Sequence, residues 1–571
     1  MRSLFVPCLV LLLLIIGAPV LVVLASLFQP FGGVWAHLAD TVLQDYVRNS
    51  LLLVAGVSVG VLLMGVSTAW LTSLCQFPGR RIFEWALLLP MAMPAYIIAY
   101  TYTGMLDFGG PVQTLLRDTF DWRYGDYWFP EIRSLPGAIV MLSLVLYPYV
   151  YLLARAAFLE QSVCLLEVSR SLGCNPWRSF FGVALPLARP AILAGLSLAL
   201  METLADYGTV QYFGVNTFTT GIFRTWFGLG ENVAATQLSA LLLCSVVLLL
   251  LLERYFRHGM RVAKSSRVAS RMLPRFELRG VRSLSAWLVC TLILSAGFLL
   301  PAIQLLKWTV MAGPDALGHE FLLLAWRSFY LAFVAAVLVV VVAMLFTFAL
   351  RLKSTPSRVA LQVLAGLGYA VPGTVIAVGV MIVLGGTDRW LDNWMIDTFG
   401  ISTGLLFSGT ICALLFAYLV RFLSVSLHAL QSGFERISKS MDEAARSQGL
   451  TPFGVICRIH LPLLRGSLFA ALLLVFVDVL KELSATLVLR PFNFNTLAVR
   501  AFEMASDERL MDAAPPSLAI VLIGLLPVIL LSRQMRSRSA EKLNSKRGGE
   551  GVRNIENTGS QEISNGRTAE A

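Results

Sequence analysis

Apolar stretches of membrane-crossing length alternate with short polar, mostly basic segments along nearly the whole chain. A helix needs about 20 mostly apolar residues to cross the hydrocarbon core. Twelve stretches qualify: 4–28, 50–74, 84–106, 135–158, 187–209 and 234–253 in the first half, then 284–306, 328–350, 359–384, 403–427, 463–485 and 515–532 in the second. The first is too long for a signal-peptide core of about 7–15 residues and reads as a membrane anchor. From Ser537 the pattern turns polar, which predicts a disordered tail.

The polar segments carry an internal duplication. Glu167-Val168-Ser169-Arg170-Ser171-Leu172-Gly173 leads to Val183-Ala184-Leu185-Pro186; 276 residues later, Glu443-Ala444-Ala445-Arg446-Ser447-Gln448-Gly449 leads to Ile459-His460-Leu461-Pro462. Upstream, Pro78 and Pro94 pair with Pro356 and Pro372 at an offset of 278. The duplication predicts a parallel repeat, six spans per half, inserted in one orientation. Its expected units are a first module over 1–253, a basic linker over 254–283, a second module over 284–536 and a tail over 537–571.

Each copy of the loop has the same local physics. A polar helix stops at Gly173 or Gly449, the residue type that enters the left-handed cap conformation cheaply. Asn175-Pro176 and Thr451-Pro452 then supply an N-cap and a first-turn proline for a second short helix. Leu-Pro follows at the expected membrane edge.

Composition agrees with the pattern. The 571 residues are 57% hydrophobic and 14% charged, against about a quarter charged in soluble domains, and mean hydropathy is +0.74. The net charge of +11 is concentrated in loops on one side of the predicted spans, including Arg80, Arg81 and the 254–283 linker. The opposite side carries Asp107, Asp118, Asp121, Asp126 and Glu131. Basic loops mark the cytoplasm, so both termini and both Glu-to-Pro loops are expected there, and nucleic-acid binding is not. Pro90 and Pro94, and Pro372 in the later copy, remove backbone donors inside spans three and nine and predict kinks. Eight cysteines without a C-x-x-C pair, and five scattered histidines, give no metal or disulfide pattern. No G-x-x-x-x-G-K-[ST] loop and no catalytic constellation is present, so the chain is expected to be neither an enzyme nor a nucleotide binder, with no cofactor of its own.

The charges with the clearest placement close spans five and eleven. Glu202 and Asp206 lie four apart on one helical face, and Asp478 and Glu482 repeat them at the 276 offset. Carboxylates near membrane usually face a cavity or a partner. If the halves pack about a pseudo-twofold axis, the four converge on one path that suits a multiply charged cation. The alternative is a position at the water interface, with Lys481 neutralising one of them. Tyr207 adds a phenolic oxygen; its counterpart is Leu483.

The loops resemble the motif of binding-protein-dependent ABC importer permeases: E-A-A, three residues, G, nine residues, I-x-L-P. Glu443, Ala444, Ala445, Gly449, Ile459, Leu461 and Pro462 match every position; the first copy keeps Glu167, Gly173, Leu185 and Pro186 but has Val168, Ser169 and Val183. The stretches from Leu204 to Val215 and from Lys481 to Phe494 resemble the fused two-module permeases of ferric iron importers, with Ser484 where those permeases often have proline. The resemblance implies an all-α, type I importer-like fold in a bacterial inner membrane. It implies a periplasmic binding protein that delivers ferric iron and two ATP-binding cassette subunits that grip the loops and hydrolyse ATP. Surrounding lipid is the remaining partner, and no second permease subunit is needed. Thiamine, polyamine, sulfate and 2-aminoethylphosphonate permeases share the architecture, and a six-plus-six secondary transporter is the rival class.

Overall fold

The computed structural model describes residues 2–160, 176–258, 275–352, 368 and 370–530, apart from 31, 124 and 436. Glu167 and Gly173, most of the linker, the tail from 531 and the expected start of span nine lie outside the described residues.

Among the described residues eleven helices are long and apolar enough to cross a membrane, and a bent pair makes a twelfth span. In order they are Leu11–Phe28, Leu43–Leu74, the pair Arg80–Ala92 with Ala95–Phe120, Leu135–Leu159, Phe180–Ala205, Asn232–Phe256, Val281–Ala312, Pro314–Phe348, Gly373–Phe399, Ile411–Phe434, Ile456–Leu480 and Leu510–Leu530. This is an all-α polytopic membrane protein. Among the described residues the one strand pairing is a two-residue parallel contact, Cys75–Gln76 with Phe276–Glu277, which ties the end of the linker to the loop after span two.

Proline places the sharpest bend. Pro94 disfavours helical dihedrals at the residue before it. Met93 is accordingly extended, at φ −101 and ψ 117, and the two segments of span three meet at 92°. Pro372 starts span nine the same way, at φ −55 and ψ 143. Leu-Pro pairs are accommodated differently. Phe180–Ala184, Ser295–Leu299 and Ile456–His460 are each one turn of π-helix, and each precedes Leu-Pro at the start of the next α-helical stretch. A wide turn relieves the clash of a proline ring with the carbonyl four residues back. Spans five and eleven therefore continue through Pro186 and Pro462 without a break.

Span nine extends well beyond the expected end at 384, to Phe399. The run Gly385-Gly386-Thr387-Asp388 stays helical, and acids beyond the expected end are used by the next loop. Asp388 accepts N–H bonds from Leu406, Phe407 and Ser408, and Asp392 from Thr403 and Gly404.

The two halves share one packing plan. Spans two, four and five pack together, and so do spans eight, ten and eleven. Spans one and seven cross over: span one lies on span nine, while span seven lies on span three and on the break after Arg80–Ala92. Two large apolar clusters and one small one result, and each mixes residues from both halves of the sequence.

Candidate functional site

The turns that end spans five and eleven are built alike. After Ala205, Asp206 caps the short helix Gly208–Tyr212: its carboxylate accepts from the Thr209 N–H at 3.0 Å, the Val210 N–H at 3.2 Å and the Thr209 hydroxyl at 3.0 Å. After Leu480, Glu482 caps Ser484–Leu489, accepting the Ala485 N–H at 3.0 Å. These turns pack against the break in span three and the start of span nine. A Cβ on Gly208 would meet the Leu483 and Tyr96 side chains at 2.7 and 2.8 Å, and one on Gly373 would strike the Arg421 guanidinium and the Glu482 carboxylate. Only glycine allows either approach.

Between them opens a cleft of ≈ 870 Å³, open space included. Glu202, Asp206, Asp478 and Glu482 all line it, with Arg421, Lys481, Tyr149 and the Met91–Tyr96 break around them. The duplication thus brings the four carboxylates to one place. Their depth differs from the sequence-based expectation of external helix ends. Arg421 sits ten residues inside Ile411–Phe434, about 15 Å at 1.5 Å per residue, and Tyr149 is near the middle of span four. The cleft is therefore close to the middle of a hydrocarbon layer about 30 Å thick. The C-terminal ends of spans five and eleven stop there because the chain turns back at Asp206 and Lys481.

Charge in the cleft is unevenly shared. Lys481 pairs with Asp478 at 2.9 Å, and Arg421 pairs with Glu482 at 3.3 Å, both members of that second pair being buried. Glu202 and Asp206 face no cation within ion-pair distance among the described residues. The positions matching Lys481 and Arg421 in the first half are Ala205 and Val145, so only the later half supplies cations. Four carboxylates against two cations leave the cleft negative when all are ionised. Among the described residues no three acid, histidine or cysteine side chains stand close enough to hold one metal ion together.

Tyr207 does not join the lining. It is buried at 3% exposure, its ring 4.8 Å from Phe223 and 6.1 Å from Phe502. The capping turn points residue 206 into the cleft and residue 207 into the apolar packing. Sequence reasoning missed Arg421, although a charge inside the apolar run 403–427 is the signal that finds such residues.

The second Glu-to-Pro loop has the geometry its residues dictate. Glu443, Ala444 and Ala445 lie on the helix Lys439–Ser447, which ends in a left-handed Gly449 at φ +83, with Gly449 N–H bonded to the Arg446 carbonyl and Leu450 N–H to the Ala445 carbonyl. Thr451 caps the next helix, accepting the Gly454 N–H at 3.2 Å, and Pro452 opens it. Glu443 and Ala444 are exposed while Ala445 is buried. Pro462 stands in the first turn of Leu461–Leu480, and Pro186 in that of Leu185–Ala205.

Helical spans arranged in two equivalent sets around a charged internal cleft define a duplicated membrane transport subunit. A family model described as binding-protein-dependent transport system inner membrane component matches twice, over residues 56–262 and 342–537, and the chain belongs to that family. It is 28% identical over 494 residues to the Fe(3+)-transport system permease protein FbpB 2 of Haemophilus influenzae, covering 86% of this chain and 90% of that protein. The ferric transport system permease protein FbpB of Actinobacillus pleuropneumoniae is 24% identical over 473 residues, 78% of this chain and 64% of that protein. The molybdenum transport system permease protein ModB of Escherichia coli K12 is 29% identical over a shorter stretch of 152 residues, 27% of this chain and 63% of that protein.

Proposed function

We propose that this chain is the permease of an ATP-driven importer that moves ferric iron inward from a periplasmic binding protein. Two separate ATPase subunits dock on the loops around Glu167–Gly173 and Glu443–Gly449, both facing the cytoplasm. Glu202, Asp206, Asp478 and Glu482 form the cation path. The observation that carries this reading is the sign of the cleft: it holds excess carboxylate at mid-membrane depth, and both of its cations are already paired. An oxyanion path would present unpaired cations instead. The two-module relatives named for ferric transport align along most of the chain, which supports the same choice of cargo.

Coupling follows from helix continuity. Spans five and eleven run without a break from the docking side, at Phe180 and Ile456, to the cleft acids, about 35–40 Å at 1.5 Å per residue. A displacement of the docking loop moves Glu202 or Asp478 with it. The ATPase shifts the inward–outward equilibrium only as far as its contacts differ between the two states.

The test is uptake of radiolabelled ferric iron by a deletion strain carrying this chain with its ATPase and binding protein, against molybdate, sulfate, thiamine and spermidine. Saturable, ATP-dependent iron uptake supports the proposal; ATP-dependent uptake of molybdate or sulfate alone replaces the cargo. Uptake driven by a proton gradient without ATP sinks the importer reading.

A further inference from the structure

The helix Lys439–Ser447 is held to the membrane helices by a buried polar cluster that the motif does not include. Asp442, immediately before Glu443, accepts Arg351 Nε at 2.5 Å on one oxygen and meets His460 Nε2 at 2.8 Å on the other. Arg351, at the end of the helix that contains span eight, also donates to the carbonyls of Phe434, Ile437 and Ser438 at 2.9, 2.8 and 3.0 Å. His460, at the start of span eleven, is fully buried between the rings of Phe348 and Phe434 at 5.6 and 5.0 Å. Three residues thus join the ends of spans eight and ten, the start of span eleven and the docking helix.

Among the described residues the first half builds its ionic contacts elsewhere: Glu84 pairs with Arg80 and with Arg155, the latter at 3.5 Å. At the 278 and 276 offsets the counterparts of Arg351, Asp442 and His460 are Ser73, Leu166 and Ala184, none of them ionisable. One turn before Ser73, Trp70 lies 5.8 Å from Phe158, 4.6 Å from Phe180 and 5.9 Å from Phe276 of the linker. Ser73 turns its hydroxyl back onto the Ala69 carbonyl of its own helix. Apolar packing is non-directional, whereas a carboxylate with one oxygen held by Arg351 Nε and the other by His460 has a fixed orientation.

We propose that Arg351, Asp442 and His460 are positioning residues that make the second loop a rigid transmitter of the ATPase stroke. This rests on the reading of Glu443–Gly449 as a docking loop. The clamp acts through the docking helix and touches neither nucleotide nor cargo. Its loss therefore separates ATP hydrolysis from transport rather than abolishing either partner's binding.

The experiment uses the full-length permease with its ATPase in proteoliposomes, supplied with iron-loaded binding protein. It measures ATPase co-purification, ATP hydrolysis and iron transported per ATP. Asp442→Asn keeps side-chain volume and removes the charge; the expected result is co-purification within twofold of the parent, continued hydrolysis and at least a tenfold fall in iron per ATP. Arg351→Lys keeps the charge but loses the fork to three carbonyls, with about a threefold fall expected. Ser73→Ala, at the matching place in the first half, should change the ratio by less than twofold. Iron per ATP within twofold of the parent for both clamp variants overturns the proposal. So does loss of co-purification in Asp442→Asn, which would make the cluster a mere support of the docking surface; should that variant fail to reach the membrane, Arg351→Lys decides. Glu443→Arg, on the exposed face, should abolish co-purification; if it does not, the docking reading fails rather than the clamp.

Discussion

At the scale of single residues, four positions carry most of the consequence: Gly449, Arg421, Glu482 and Asp442. Gly449 has open space around its missing Cβ, so its constraint is the positive φ alone. Gly449→Ala should cost about 1 kcal/mol, seen as a small fall in melting temperature with coupling retained. Gly449→Pro should do worse: proline cannot take φ +83, and the N–H that bonds Arg446 is lost. The variant should stay in the membrane while ATPase pull-down and uptake both fall. Arg421 and Glu482 are both nearly buried, and removing one partner orphans the other. Arg421→Met should destabilise by about 3 kcal/mol or more, and Arg421→Met with Glu482→Gln should recover much of that in a melting experiment. Asp442 titrates outside the membrane. Burial pushes its carboxyl up, and the bonds from His460 and Arg351 outweigh that and hold it below its ordinary value. A depressed carboxylate stabilises above its unfolded pKa, about 3.9, and that stabilisation is lost as pH falls through the lower folded value. A cysteine replacing buried Ala445 should therefore stay protected at pH 5 and become reactive only below about pH 4, as followed with 2,2′-dipyridyl disulfide, which reacts with thiols in acid.

Elements show a division between what proline breaks and what it bends. The 92° turn in span three arises at Met93-Pro94, against the cleft, whereas Leu185-Pro186 and Leu461-Pro462 are absorbed into π turns that keep spans five and eleven continuous. Pro94→Leu restores an N–H and frees Met93 to become helical. Spin labels at exposed Ile82 and Leu115 should then move apart, with uptake reduced; an unchanged distance would mean that packing rather than proline holds the bend. Glu202→Gln with Asp478→Asn changes the same helix ends without altering their caps, since Asp206 and Glu482 bear those bonds. Iron uptake should fall at least tenfold; the melting temperature should stay within a few degrees in Glu202→Gln alone and fall when Asp478→Asn leaves Lys481 unpaired. Unchanged uptake would return these acids to a structural role.

For the whole molecule the reciprocal crossing of spans one and seven is the decisive feature. Each apolar cluster is built from both modules, so neither module is packed by its own residues alone. Sidedness is testable at the same scale. Trp128, 85% exposed in the loop before span four, should as cysteine react with an impermeant reagent from outside intact cells, and Gln448 as cysteine only in inverted vesicles. The reverse pattern would turn the importer upside down.

Hydropathy and repetition in the chain were enough to determine twelve spans, their pairing between halves, the local geometry from Glu443 to Pro462 and the kinship of Glu202 and Asp206 with Asp478 and Glu482. All of these depend on neighbours a few residues apart or on a fixed offset, and both survive in one dimension. The tertiary structure alone decided the depth of the cleft, the turning of Tyr207 away from it, the pairing of Arg421 with Glu482 and the anchoring of Asp442 by Arg351 and His460. Those partners lie 18 to 91 residues apart, brought together by how helices cross. Crossing is set by shape and packing summed over many side chains, which no local pattern of apolar and polar positions encodes.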